Sequence, residues 1–334
     1  MSKPLKTILT YTLTFGLCAV LVWFSVKNLT SEQITAIREA ISKANFILLL
    51  PIVAMGILSH WSRAVRWKYL MQPLGYKPST TNAMFAIMIG YFANLVLPRF
   101  GEVLKCTLLA RYEKVPADKL IGTIITERAF DVVCLLLIFL ITFLIQIDFS
   151  MDYLQTLWVR FQSREGSSSH TLYWVVGLMV LGSVLLLLYR NKIKQSVLFQ
   201  KIAGVIQNIW SGIMSFRTME NKIGFLFHTV FIWAMYYGMI LVGFQCLEAT
   251  QGLGIKASFS VLSFGSVGMI VTPGGIGAYI LIVNEIVKLY GIDEIHSNAI
   301  SWIIWLVPTA ILVLGGAVSL LLLPLYNKTR KHVE

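Results

Sequence analysis

The sequence predicts an all-α, polytopic integral membrane protein with about six full spans and two re-entrant or broken-helix hairpins that enter from opposite sides. Three observations carry that prediction. Of 334 residues, 57% are hydrophobic and 13% charged, with a mean hydropathy of +0.73, whereas soluble domains carry roughly 25% charged residues. Apolar windows near or beyond the ~20 residues that cross a bilayer recur along the whole chain. Two of these windows are broken by Pro and Gly. The longest polar stretch, residues 190–224, is too short to build a core of its own, so residues 1–334 read as a single transmembrane domain.

Taken in order, residues 8–26 follow Lys3 and Lys6 as in a signal peptide. The apolar run is longer than a signal core and no A-x-A-like site follows, so it is read as a retained first span. Residues 31–43 set Ile34, Ile37, Ala40 and Ile41 at helical spacing with charges opposite, the pattern of a short surface helix. A span near 46–62 runs into SHWSRAVRWKYL, where Arg63, Arg66 and Lys68 alternate with Trp61, Trp67 and Tyr69. This reads as an interfacial belt of aromatics and snorkelling cations, or as a contact for anionic headgroups. Both readings put it at the inner interface. Residues 80–97 end at LPRFGE, the first break; spans near 120–147, 171–189, 225–247 and 300–323 are uninterrupted; and 258–287 is broken by TPGGIG. Residues 150–168 read as a polar outer loop. Residues 190–222 are basic with apolar residues interleaved, which suits a membrane surface and not nucleic acid.

Basic residues orient the chain, because lysine and arginine are held back in the cytoplasm during insertion. With the N-terminus inside and both broken windows folded as hairpins, 80–111 from the cytoplasm and 257–290 from outside, 19 of the 28 basic residues lie inside against seven outside. Both termini are then cytoplasmic, in a plasma (inner) membrane. Cysteines introduced between residues 112 and 118 are expected to label from the cytoplasmic side; labelling from outside overturns this arrangement.

Six charged residues fall within or beside the apolar windows: Arg99, Glu102, Glu127, Arg128, Asp131 and Glu285. An unpaired Arg or Asp at the bilayer centre costs roughly 2.5 to 3.5 kcal/mol on insertion scales, so these charges require partners or water. Glu127 and Asp131 are four apart on one helix face, with Arg128 about 100° round. Arg128 is placed to pair with Glu102, and Glu127 or Asp131 with Arg99. Such a cluster either staples two helices together or lines a polar cavity for a headgroup or coupling ion. In the second break, Pro273, Gly274, Gly275 and Gly277 precede a helix, a pattern that serves close packing or a kink, or offers backbone N–H groups to a phosphate. Glu285 follows near the outer end. The four cysteines (Cys18, Cys106, Cys134, Cys246) and five histidines are scattered, implying no disulfide framework and no metal site. No motif calls for a cofactor.

NLVLPRFGEVLK, then ERAFD about 25 residues on, then TPGGIGAY resemble the flippase-like family named for the lysylphosphatidylglycerol synthase transmembrane region, over most of the chain. Carried over, the pattern falls on Asn94, Pro98, Arg99, Gly101 and Glu102, on Glu127, Arg128 and Asp131, and on Pro273, Gly274, Gly275 and Gly277. Many members have an acidic residue soon after GGIG; here Ala278, Tyr279 and Ile280 occupy those positions. The resemblance implies a lipid-handling membrane module without a synthase domain. The expected partner is an anionic, phosphate-bearing membrane lipid, with Asn94, Arg99, Glu102, Glu127, Arg128 and Asp131 lining its polar path. The chain has no P-loop, so ATP-driven transport by it alone is not expected. Two other readings are a membrane-embedded lipid-modifying transferase and a non-catalytic partner subunit of such an enzyme.

Overall fold

The computed structural model describes residues 30–97, 99–146, 204, 207, 214 and 216–330. The windows at 8–26 and 171–189, the loop at 150–168, Pro98 and most of the basic stretch at 190–222 lie outside the described residues. Among the described residues the regular structure is helical throughout. It comprises α1 (Ser31–Ser42), α2 (Leu49–Met71), α3 (Thr80–Val96), α4 (Phe100–Glu113), α5 (Ala117–Ile145), α6 (Lys222–Phe244), α7 (Ile255–Val271), α8 (Ala278–Leu289) and α9 (Glu294–Arg330).

Local chemistry sets the ends of these helices. Thr30 and Gln33 form a reciprocal capping box at α1. Asn221 caps α6 through the Gly224 N–H, and Asp293 accepts from the N–H groups of Ile295 and His296 at the start of α9. Four segments are long and apolar enough to cross a membrane: Phe46–Leu74, Ala117–Ile145, Lys222–Phe244 and Glu294–Thr329. They coincide with four of the six expected spans. Their outer faces carry exposed large apolar side chains, such as Leu136 at 63% and Leu321 at 70% exposure, as lipid-facing surfaces do.

The four helices at the broken windows are shorter. α3 and α7 have 17 residues each, α4 has 14 and α8 has 12. At 1.5 Å per residue they reach about 18 to 26 Å, less than a ~30 Å hydrocarbon core. Each pair folds back on itself. Asn82, in the first turn of α3, donates to Glu113 at the end of α4, and exchanges amide hydrogen bonds of 2.8 and 2.9 Å with Asn327 near the end of α9. The open ends of α3 and α4 therefore lie together, beside the C-terminal end of α9. In the second pair, Ser260 near the start of α7 meets the Tyr290 hydroxyl just past α8 at 3.0 Å, and the side chain of Gln146, just past α5, donates to the same serine. That pair opens at the opposite end of the molecule.

The two turns meet. A Cβ on Gly274 would lie 2.4 Å from Cδ2 of Leu95, which is in the last turn of α3. α9 holds both hairpins: Trp305 Nε1 donates to the Gly274 carbonyl at 2.9 Å, and Gly315 and Gly316 lie against Met88 and Phe92 of α3. Gly274, Gly275 and Gly277 have φ of 59°, 71° and 75°, a left-handed backbone that side chains disfavour, so the turn itself requires glycine. α2 and α6 pack antiparallel, with Gly238 against Met55 and Ser62 bonded to His228. Buried Trp67, Met71, Ile87, Leu109, Leu120 and Phe225 form the core at one end, and Phe244, Val261, Val283, Val287 and Ile300 belong to the core at the other.

Candidate functional site: a seven-member charge network

The charges of α2, α4 and α5 converge beside the first hairpin. Arg63 Nη1 donates to Glu127 Oε1 at 2.7 Å and to Asp131 Oδ2 at 2.9 Å, while Arg66 Nη2 donates to Asp131 Oδ1 at 2.8 Å. Lys105 Nζ donates to Glu127 Oε2 at 3.1 Å and lies 2.9 Å from Glu102 Oε2. Arg128 lies 3.3 Å from Glu102, 3.4 Å from Glu127 and 3.7 Å from Asp131. Glu127 thus touches all four cations, and its side chain is 1% exposed. Arg63 also donates to the Tyr236 hydroxyl, and Lys105 lies over the Trp67 ring with Nζ 5.1 Å from its centre.

Sequence-local geometry explains part of this arrangement. Glu127 and Asp131 share a face of α5, as do Arg63 and Arg66 on α2 and Glu102 and Lys105 on α4, at spacings of three or four. The three helices turn those faces toward one another. Charges this deep persist because each finds an opposite charge at hydrogen-bond range; removing one partner strands the rest. The network holds four cations and three carboxylates, so it retains one excess positive charge.

The structure brings Glu102, Glu127, Arg128 and Asp131 together, and Arg128 lies against Glu102. It does not bring in Arg99. That residue is exposed at the tip of the first hairpin, with φ 65°, and its side chain makes no ion pair among the described residues. The place given to it beside Glu127 and Asp131 belongs instead to Arg63 and Arg66. These arginines are 4% and 0% exposed, so they are not an interfacial belt, and Trp67, at 0%, is core. Lys105, 1% exposed, is the third member that local reading missed. The available signal was Arg63 and Arg66 three apart on one helix, Lys105 three residues after Glu102 on another, and an excess of acids over cations in the apolar windows.

Asn94 is committed to the turn. Its Oδ1 accepts from the Gly101 N–H at 2.8 Å, which spends the acceptor on the start of α4. Gly101 is glycine for a steric reason, since a Cβ there would sit 1.8 Å from the Gly90 carbonyl oxygen. Pro273 and Gly275 are buried in the second turn, and the three residues after Gly277 are buried too. Glu285 is solvated, with its side chain 68% exposed and paired to Lys288 at 2.9 Å.

With this geometry in place, comparison with known proteins assigns the chain. A family model described as the lysylphosphatidylglycerol synthase TM region matches residues 8–316. A UPF0104 membrane protein of Methanocaldococcus jannaschii is 27% identical over 117 residues, 33% of this chain and 33% of that protein. The match thus spans about a third of the curated relative's length. No solved structure matches. The matched family model covers both hairpins and the whole charge network, and the chain belongs to the family of the lysylphosphatidylglycerol synthase TM region.

Proposed function

We propose that the chain binds and translocates an anionic, phosphate-bearing membrane lipid. The observation that carries this reading is the excess positive charge of the network, held beside a helix that stops and turns within the fold. An anionic headgroup neutralises that excess, and arginine forks match phosphate oxygens. Irregular backbone at membrane depth is stable only against protein or a wet cavity, which suits the two meeting turns to a headgroup path. The lipid tails stay in the bilayer. The family's name supports the phosphate-bearing part of this reading, since lysylphosphatidylglycerol carries a phosphodiester, although its lysyl amines make that lipid cationic overall. The bias of basic residues supports a cytoplasmic position for the end carrying Asn82, Glu113 and Asn327, and the membrane proposed is the plasma membrane.

The test is lipid exchange between leaflets of proteoliposomes carrying fluorescent phosphatidylglycerol or phosphatidylcholine. Exchange of the anionic lipid is expected to exceed that of protein-free vesicles and to fall roughly tenfold in R128Q, as loss of a charge-assisted contact implies. Rates equal to protein-free vesicles for every lipid tested overturn the reading. A second reading has its own observation: the short, largely buried Arg63–Glu127 and Arg66–Asp131 pairs suit a rigid staple in the partner subunit of a lipid-modifying transferase. Co-purification with a transferase that is inactive alone would favour it.

A further inference from the structure

The three carboxylates of the network are not held alike. Glu127 and Asp131 accept hydrogen bonds of 2.7 to 2.9 Å from buried arginines. Glu102 does not. Its Oε2 is 2.9 Å from Lys105 Nζ but out of line, so this buried oxygen accepts no hydrogen bond, and its Oε1 reaches Arg128 only at 3.3 Å. Its side chain is 24% exposed, against 1% for Glu127 and 14% for Asp131. Glu102 is also in the first turn of α4, next to the hairpin tip.

Arg128 is the matching loose cation. Its contacts are 3.3, 3.4 and 3.7 Å, its buried Nε has no partner, and its side chain is 43% exposed where those of Arg63 and Arg66 are 5% and 0%. A guanidinium on a part-exposed side chain, held only by long contacts, is suited to a bidentate oxyanion. The geometry points to Arg128 as the oxyanion-binding group of this network, with Glu102 as a built-in stand-in for the ligand that a phosphate group displaces. Displacement leaves the inner pairs of Glu127 and Asp131 intact and returns Glu102 to the more solvated tip. Arg63 and Arg66 are thereby structural, and Arg128 is the one cation of the network available to a ligand. The inference rests on the anionic-lipid reading and makes a prediction opposite to that of a simple binding carboxylate: removing the charge of Glu102 tightens binding.

The experiment is calorimetric titration of the full-length, detergent-solubilised protein with short-chain phosphatidylglycerol and, separately, with inorganic phosphate. Wild type, E102Q, R128Q and the double variant are compared, each first shown to elute as a single species. E102Q is expected to bind about tenfold more tightly than wild type, a gain of about 1.4 kcal/mol. R128Q should bind at least about tenfold more weakly, and the double variant should match R128Q because the competition acts through Arg128. Parallel behaviour of both probes marks a site for the oxyanion itself, whereas a response to phosphatidylglycerol alone marks a lipid headgroup site. Unchanged or weaker binding by E102Q, with the wild type binding, overturns the stand-in role and leaves the lipid reading intact. Failure of all four proteins to bind either probe overturns both. Should R128Q not fold, the comparison of E102Q with wild type decides alone.

Discussion

Replacing Glu127 with alanine is expected to unfold the protein or to lower its stability by about 3–5 kcal/mol, the range for breaking a buried ion pair. Glu127 has cations within 3.5 Å on three helices: Arg63 and Arg66 on α2, Lys105 on α4, and its neighbour Arg128 on α5. Without it, Lys105 keeps only the out-of-line Glu102, and Arg63 and Arg66 share Asp131. Three cations, each with side chains no more than 5% exposed, then have too little compensating charge. The measurement is the apparent Tm in detergent together with the monodisperse fraction on size exclusion. Glu285→Ala is the control: the same charge is removed from a side chain 68% exposed, and a change within about 0.5 kcal/mol is expected. Equal effects at the two sites would show that the network does not hold α2, α4 and α5 together.

The second large effect is steric. Gly101→Ala would place a methyl 1.8 Å from the Gly90 carbonyl oxygen and 2.7 Å from Asn94 Oδ1. The first of these is backbone, so no rotamer change relieves it, and the two limbs of the hairpin must part. Overpacking usually costs about 1–3 kcal/mol, and a backbone obstacle puts this variant at or above the upper end. The Asn94–Gly101 hydrogen bond, 2.8 Å long, is lost with the same movement. A reporter is already present in α4, where Cys106 is 1% exposed. In a background with the other cysteines replaced by serine, Cys106 should resist thiol reagents in the parent and react in Gly101→Ala. An unreactive Cys106 with an unchanged Tm would mean that the limbs do not depend on this close approach.

Much of the architecture was legible because its causes are local. Hydropathy marks α2, α5, α6 and α9, since a helix in lipid must be apolar over its length. The breaks at Leu97–Arg99 and Thr272–Gly277 are written in residues that stop helices. Gly274, Gly275 and Gly277 occupy left-handed positions that a side chain would strain. The carboxylates were legible as well, because charge at membrane depth needs a reason. The surface helix read from residues 31–43 is α1, where Ile37 is buried and Ile34 is half exposed.

Of the partners of those carboxylates, Arg128 for Glu102 was legible and the others were not. Helical spacing tells which residues share a face, but not which face of another helix it meets. Basic and aromatic residues at the end of an apolar run look alike whether they reach the interface or turn inward. Arg63 and Arg66 turn inward because α2 packs against α5 and α6, 61 or more residues away in sequence, where Glu127, Asp131 and Tyr236 await them. Arg99, as near in sequence to Glu102 as Lys105 is, is exposed, because the left-handed residue that opens α4 is at the hairpin tip. By itself, then, the sequence determined that this chain is helical, where its helices break, and that acids are present at membrane depth. Tertiary packing alone decided that Arg63, Arg66 and Lys105 answer them, because pairing between charges depends on distance across helices that only the folded chain brings together.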